Sequence, residues 1–157
     1  MESMTPVIRT VEPSDEADWR RLWGDYLAFY KVDVPAAVTD RTWARIFDPT
    51  SPLTCRVAAL DGTLAGFAIH FTHPSTWVMT EDCYLEDLYV DESRRGAGLG
   101  RALLDDLVAL AERSGCARLY WHTDQNNHRA RKLYDSYVEV DDHVRYRMDL
   151  RTRGTAT

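Results

Sequence analysis

Cysteine is scarce in this chain and never clustered: Cys55, Cys83 and Cys116 are the only three. No two stand at Cys-x-x-Cys spacing, which argues against a zinc ribbon and leaves no disulfide framework. Isolated thiols suit a reducing compartment, and a cytoplasmic protein is expected. Long apolar runs are missing as well. No stretch approaches the roughly 18 apolar residues of a membrane span, and "MESMTPVIRT" lacks the charged start and apolar run of a secretory signal. Positive charge is outweighed, with 19 Lys and Arg against 25 Asp and Glu and a net charge of -6. An acidic surface offers no counter-charge to nucleic acid or anionic lipid, so neither is expected as a partner, whereas cationic ligands suit it. His73, His128 and His143 show no metal-ligand spacing, and no metal is expected.

What is present is enough for one core: 157 residues, 45% hydrophobic and 11% aromatic. "PVIRTVEP" alternates as a strand does, and "SDEADWRRLWGDYLAFY" reads as a helix capped by Ser14, with Trp19, Leu22, Trp23, Tyr26, Leu27 and Tyr30 on one aromatic face. That face is expected to pack into the core, with Tyr30 at the helix exit able to reach a pocket. "TDRTWARIFDP" predicts a second short helix stopped by Pro49 and Pro52. "CRVAALDGTLAGFAIHFTH" predicts a hairpin turning at Asp61-Gly62, and "DCYLEDLYV" a further strand. Residues 99 to 113 carry an apolar helical stripe that ends before Gly115. "ARLYWHT" is then a strand reached through one helix, a parallel crossover, followed by a short helix in "NNHRARKLYDSY". "EVDDHVRYRMDL" is expected to close the sheet with one or two strands, and "RTRGTAT" to trail as a loose tail. The expected class is α/β: a single domain with a mixed, mostly antiparallel sheet, a central βαβ crossover and flanking helices. Its expected limits are residues 6–150, between an extension at 1–5 and a tail at 151–157.

The segment "ESRRGAGLGRALL" places alternating glycines directly before a helix. Such a loop can turn several backbone N–H groups inward while the helix N-terminus adds positive potential, which suits a phosphate or pyrophosphate. Arg94, Arg95 and Arg101 add guanidinium donors around it. A Walker loop requires Gly-Lys-Ser/Thr, but Gly100 is followed by Arg101 and Ala102, which argues against ATP. A dinucleotide fingerprint requires G-x-G-x-x-G directly at a strand end, but here the spacing is Gly96-x-Gly98-x-Gly100, and "DESRR" intervenes after Val90. A purely structural turn remains open at this point.

Arg95-x-x-Gly98-x-Gly100 resembles the pyrophosphate loop of the GCN5-related N-acetyltransferases, the GNAT superfamily. "YLEDLYV", the loop, its helix, "LYWHT" and "NNHRARKLY" fall in that family's order, and the resemblance covers nearly the whole chain. Within the family it is similar to the small-amine subgroup of diamine and polyamine acetyltransferases and fungal histone or D-amino-acid N-acetyltransferases. The resemblance implies acetyl-CoA as cofactor, held at the pyrophosphate by Arg95, Gly96, Ala97, Gly98, Leu99, Gly100 and Arg101. It implies a pantetheine arm between splayed strands, bonded to the backbone of Leu88, Tyr89 and Val90 and flanked by Asn127, Ala130 and Tyr137. It also implies a GNAT fold and a small-molecule amine partner, with a homodimer as a family expectation. One departure is Val138, where many members carry glycine; valine resists positive φ, so the turn into the last strands is expected to differ.

Acetyl transfer to an amine needs a neutral nucleophile, stabilisation of the developing oxyanion and a proton for the departing thiolate. The resemblance assigns the proton to Tyr134, seven residues and about two helical turns from Asn127. It assigns the base to Glu86, either directly or through a water chain, and assigns Asp87 to holding a cationic acceptor. Simple alternation sends Glu86 and Asp87 to opposite faces, so they are not expected to act as a pair. Glu81, Asp82, Glu86 and Asp87 crowd one strand, which favours a positively charged acceptor, while Tyr30, Trp77, His122 and His70 are candidate pocket walls. Cys83 and Cys116 show no Cys/His pairing in sequence, so direct attack in a ternary complex is expected rather than an acetyl-cysteine step. The alternatives are a protein or peptide lysine as acceptor, or an acetyl-CoA sensor without turnover.

Overall fold

The computed structural model describes residues 5–153; most of the expected extension and tail lies outside the described residues. The elements are β1 (Val7–Thr10), α1 (Glu16–Phe29), α2 (Ala36–Phe47), β2 (Thr54–Leu60), β3 (Thr63–Pro74), β4 (Glu81–Val90), α3 (Leu99–Arg113), β5 (Arg118–Trp121) and α4 (His128–Asp135). They fall into two compact units that divide after Thr123.

The first unit holds one sheet of order β1-β2-β3-β4-β5, antiparallel throughout except for the parallel β4–β5 pair reached through α3. This is the mixed sheet with a βαβ crossover that the sequence leads one to expect. Asp61 and Gly62 both take positive φ, 52° and 74°, which is the backbone a two-residue hairpin needs to match the strand twist. On one face, Trp19 is fully buried, with its ring centroid 5.3 Å from Trp23, 5.0 Å from Trp43 of α2 and 6.3 Å from Phe67 of β3. Each large side chain buried there stabilises the fold by roughly 2–3 kcal/mol, so α1 is held by packing rather than propensity. Its start differs from expectation. Ser14 lies inside a 3-10 turn, and Asp15 accepts the Glu12 amide at 2.7 Å while Arg9 clamps the same carboxylate at 2.8 and 3.0 Å. On the other face α3 buries Leu99, Leu103, Leu104 and Leu107. Gly66 is required where β3 runs under β4: a Cβ there would stand 2.8 Å from the Tyr89 carbonyl oxygen.

The β3–β4 register slips once. Ile69 pairs with Asp87 and His70 with Leu85, so Glu86 is an extra residue in a β-bulge. An inserted residue reverses the alternation beyond it. Tyr84 and Asp87 therefore share a face, as do Leu85 and Leu88, which overturns the simple alternation expected from the sequence.

The second unit, from Asp124, has α4 as its only regular element among the described residues. Asn127 is the cap of α4 rather than part of it; its side-chain oxygen accepts the Ala130 amide at 3.2 Å. The strands expected in "EVDDHVRYRMDL" do not form. Val140, Val144, Tyr146, Met148 and Leu150 are all exposed. A strand is stable only against a partner edge, and this unit supplies none among its described residues.

Candidate active site

The end of the β4–β5 ladder, the glycine loop after β4, and the acids carried on β4 together define one end of the sheet. The β4–β5 pairing covers only Asp82–Leu85, opposite Arg118–Trp121, whereas β4 itself runs on to Val90. Beyond Leu85 the parallel ladder ends where β5 itself ends, at Trp121, so on that side the stretch with Leu88, Tyr89 and Val90 has no strand paired to it among the described residues. The Tyr89 side chain is buried, which leaves its backbone as the part able to face a ligand.

The glycine loop is fixed from both ends. The Asp91 amide donates to the Ala65 carbonyl at 2.8 Å, and the Asp91 carboxylate accepts the Ser93 amide at 3.0 Å and hydroxyl at 2.8 Å, with Arg21 at 3.0 Å. Gly96 and Gly98 then take φ of 92° and 77°, and Gly98 caps the 15-residue α3 with no side chain bonding to the first amides. A Cβ on either glycine would meet no atom within 4 Å, so the glycines are there for their backbone and for the open space above it. An uncapped helix start beneath an open left-handed loop fits a pyrophosphate. Leu99 is core, so only its backbone can serve that ligand. Gly96, Ala97 and Arg101 are exposed, Gly100 is half-buried, and the Arg95 guanidinium lies 5.4 Å from the ring centre of Phe29 on α1.

The acids of β4 differ sharply in their surroundings. Arg118 clamps Asp82 with bonds of 2.8 to 3.1 Å, so Asp82 is a structural ion pair and contributes no free charge to an acceptor. Glu86 is exposed on the bulge. Asp87 is half-buried, and its Oδ1 accepts the Tyr26 hydroxyl at 2.7 Å. Burial pushes the Asp87 carboxyl from the ordinary 3.8 up to about 6; the Tyr26 hydrogen bond opposes this and the charge of Glu86 adds to it. The two carboxylates therefore interact, contrary to the sequence expectation. Burial, and after it the Asp87 charge, push the Tyr26 phenol upward, so Tyr26 remains a donor.

The other expected pocket residues divide. Tyr30 meets edge-on, at 5.1 Å, the ring of Tyr26, whose hydroxyl donates to Asp87. His122 meets Tyr84 edge-on at 5.7 Å, and Tyr84 stacks on Tyr120 at 4.8 Å, with the Tyr120 hydroxyl 2.6 Å from His73 Nε2. Trp77 is 86% exposed and makes no ring contact among the described residues, so it does not wall this site. His70 lies on the opposite face, lining a cavity of about 200 Å³ with Arg56, Thr72, Cys83, Leu107 and Cys116. There it forms the Cys/His pair that sequence did not show, Cys83 Sγ to His70 Nδ1 at 4.0 Å. Burial lowers the imidazole to about 4 and raises the thiol to about 11, so near neutral pH the pair holds no thiolate and is not a nucleophile. In the second unit Asn127, Ala130, Tyr134 and Tyr137 are all half-buried, along and just beyond α4, and the Tyr137 amide donates to the Tyr134 carbonyl at 2.9 Å.

Tyr26 is the residue that sequence reasoning misses. It is one of several aromatics on a face expected to be core, and only its four-residue spacing from Tyr30 hints at more.

Comparison with known proteins gives a consistent picture. A family model described as the Acetyltransferase (GNAT) family matches residues 17–137. The D-amino-acid N-acetyltransferase HPA3 of Saccharomyces cerevisiae is 38% identical over 143 residues, covering 90% of this chain and 89% of the yeast protein. The spermine/spermidine N(1)-acetyltransferase of Bacillus subtilis is 34% identical over 83 residues, 49% of this chain and 53% of that one. Among solved structures, the aminoglycoside N-acetyltransferase AAC(6')-Iy in complex with CoA superposes with a TM-score of 0.77 at 19% identity, covering 92% of this chain and 95% of that one, a likeness of fold.

Proposed function

The chain belongs to the acetyltransferase (GNAT) family and is an acetyl-CoA-dependent N-acetyltransferase; from that premise we propose that its acceptor is the primary amine of a small molecule, carried as an ammonium ion and attacking directly in a ternary complex. The observation that carries this is Asp87, a half-buried carboxylate beside Glu86 with no Lys, Arg or His paired to it among the described residues. Such a group invites a cation from the ligand. The D-amino acids and polyamines for which the yeast and bacterial relatives are named share an ammonium group and support the same class.

Bound acetyl-CoA supplies the acetyl group as a thioester. The amides around Gly96–Arg101 and the side chains of Arg95 and Arg101 hold its pyrophosphate, and the backbone of Leu88, Tyr89 and Val90 lies along its arm. The family resemblance assigns Asn127, Ala130 and Tyr137 to the arm, Tyr30 and His122 to the acceptor, and Glu86 and Asp87 to receiving its charge. Tyr134 gives the proton of its Oη to the departing sulfur. Tyr134→Phe is accordingly expected to lower turnover at least about ten-fold in a thiol-release assay with little change in acetyl-CoA affinity. Unchanged turnover would remove Tyr134 from this role.

Residues 6–150 form the transferase domain in this reading, and free Cys55, Cys83 and Cys116 suit the cytoplasm. The exposed row of Val144, Tyr146, Met148 and Leu150 supports a homodimer, because leaving those side chains in water forgoes roughly 1.5–3 kcal/mol each. Sedimentation is expected to show twice the monomer mass, and a monomer at micromolar concentration would refute the dimer.

A further inference from the structure

We propose that Asp87, positioned by Tyr26, is the group that takes the proton from the acceptor ammonium, and that Glu86, the base expected from sequence, assists through its charge alone. The inference rests on the acetyltransferase reading above and divides the labour of its two acids.

The sheet creates the difference. The bulge leaves Glu86 without a partner across the ladder and exposed, whereas Asp87 is back in register opposite Ile69 and set against α1. Tyr26 is fixed by its ring contacts to Phe67 at 5.7 Å and Tyr89 at 5.7 Å, so its hydroxyl is aimed rather than searching. It holds Oδ1 at 2.7 Å, and among the described residues no hydrogen bond reaches Oδ2. Other acids of this unit are matched by arginine: Asp15 by Arg9, Asp82 by Arg118, Asp91 by Arg21 and Asp106 by Arg56. Asp87 interacts with Tyr26 of α1, with Glu86 beside it on β4 and with the buried Cys55 thiol of β2, none of them a cation, while Tyr30 and Tyr89 pack on the Tyr26 ring. A base works best when its pKa lies near the working pH, and burial brings Asp87 toward it.

The protons and electron pairs balance through the transfer. Asp87 Oδ2 takes one proton from R–NH3+, leaving a neutral carboxyl and an amine with a lone pair. The nitrogen bonds to the acetyl carbon as the carbon–sulfur bond breaks and its electron pair goes to sulfur. Tyr134 gives its hydroxyl proton to that sulfur, and the second N–H proton passes through solvent water to the Tyr134 phenolate and restores it. Asp87 then releases its proton to water, so the reaction yields amide, CoA thiol and one H+.

The test combines carboxyl 13C NMR of the ligand-free protein with pH–rate profiles using acetyl-CoA and either spermidine or a D-amino acid. Asp87 should titrate near 6. Tyr26→Phe removes the bond that holds it down, so its titration and the acid limb of kcat/KM should both move to higher pH. Glu86→Gln removes a charge that pushes it up, so both should move to lower pH. Asp87→Asn should lose about 100-fold or more in turnover, with the limb abolished. The proposal is overturned if Glu86→Gln abolishes activity and limb while Asp87→Asn keeps them, or if Tyr26→Phe and Glu86→Gln leave the titration unmoved. Should Asp87→Asn fail to fold, the opposite shifts of the other two variants still decide. Wild-type protein silent with every amine would overturn the functional reading as well, and is told apart by that silence.

Discussion

Asp87→Asn is expected to make the protein more stable at neutral pH while depriving it of activity. The folded state holds the Asp87 carboxyl at about 6, against 3.8 for an ordinary aspartate, chiefly because burial disfavours the charge. At this group the folded state therefore binds more protons than the unfolded chain between about pH 4 and 6, and its contribution to stability falls as pH rises through that window. Above it the whole penalty stands, on the order of 3 kcal/mol for a shift of about two units. Asparagine keeps the shape and can still accept the Tyr26 hydroxyl at 2.7 Å, but carries no charge to desolvate. Urea unfolding at pH 4 and pH 7 should show Asp87→Asn gaining stability relative to the wild type as pH rises, because the other acids act alike in both. An equal change in both would mean that the carboxylate is not strained. A carboxylate kept at such a cost without a counter-ion is the mark of a residue retained for chemistry.

Gly98→Val is expected to weaken CoA binding by about 10- to 100-fold with the sheet intact. Gly98 sits at φ 77° at the start of α3, in a region where a β-branched residue is strained by on the order of 1–3 kcal/mol. No protein atom lies within 4 Å of the position an added Cβ would take, so the loss does not come from crowding the core. It comes from a loop that no longer turns its amides inward and from a side chain in the space above them. Calorimetry with CoA should show the drop, with circular dichroism unchanged. Wild-type affinity would mean that the pyrophosphate sits elsewhere.

Much of this is legible in the sequence because it is local. The Asp61-Gly62 turn, the α3 stripe from Leu99 and the alternating glycines each carry their conformation in a few neighbouring residues, and each stands where the pattern places it. The glycine loop can be matched to a ligand because spacing and the preceding strand are themselves sequence. What stays hidden is non-local. Nothing in "YLEDLYV" announces that Glu86 is inserted into the ladder, since a bulge is a property of two strands, and without it Glu86 and Asp87 fall on opposite faces. Tyr26 looks like any packing aromatic because its partner lies 61 residues away. The Cys83–His70 pair is hidden for the same reason, and Asp82 reads as free acid because Arg118 reaches it from another strand, β5. The last strands are expected from Val140, Val144, Tyr146 and Met148, but pattern proposes a strand and only a partner edge makes one.

The most direct test of the central claim is CoA release from acetyl-CoA, followed with a thiol reagent at pH 7.5 (roughly where Asp87 is charged), against polyamines, D- and L-amino acids, aminoglycosides and a lysine peptide. Release is expected with small cationic amines, dependent on the amine and lost in Asp87→Asn. Tight acetyl-CoA binding with no release for any amine would contradict it and leave a cofactor-binding protein without turnover.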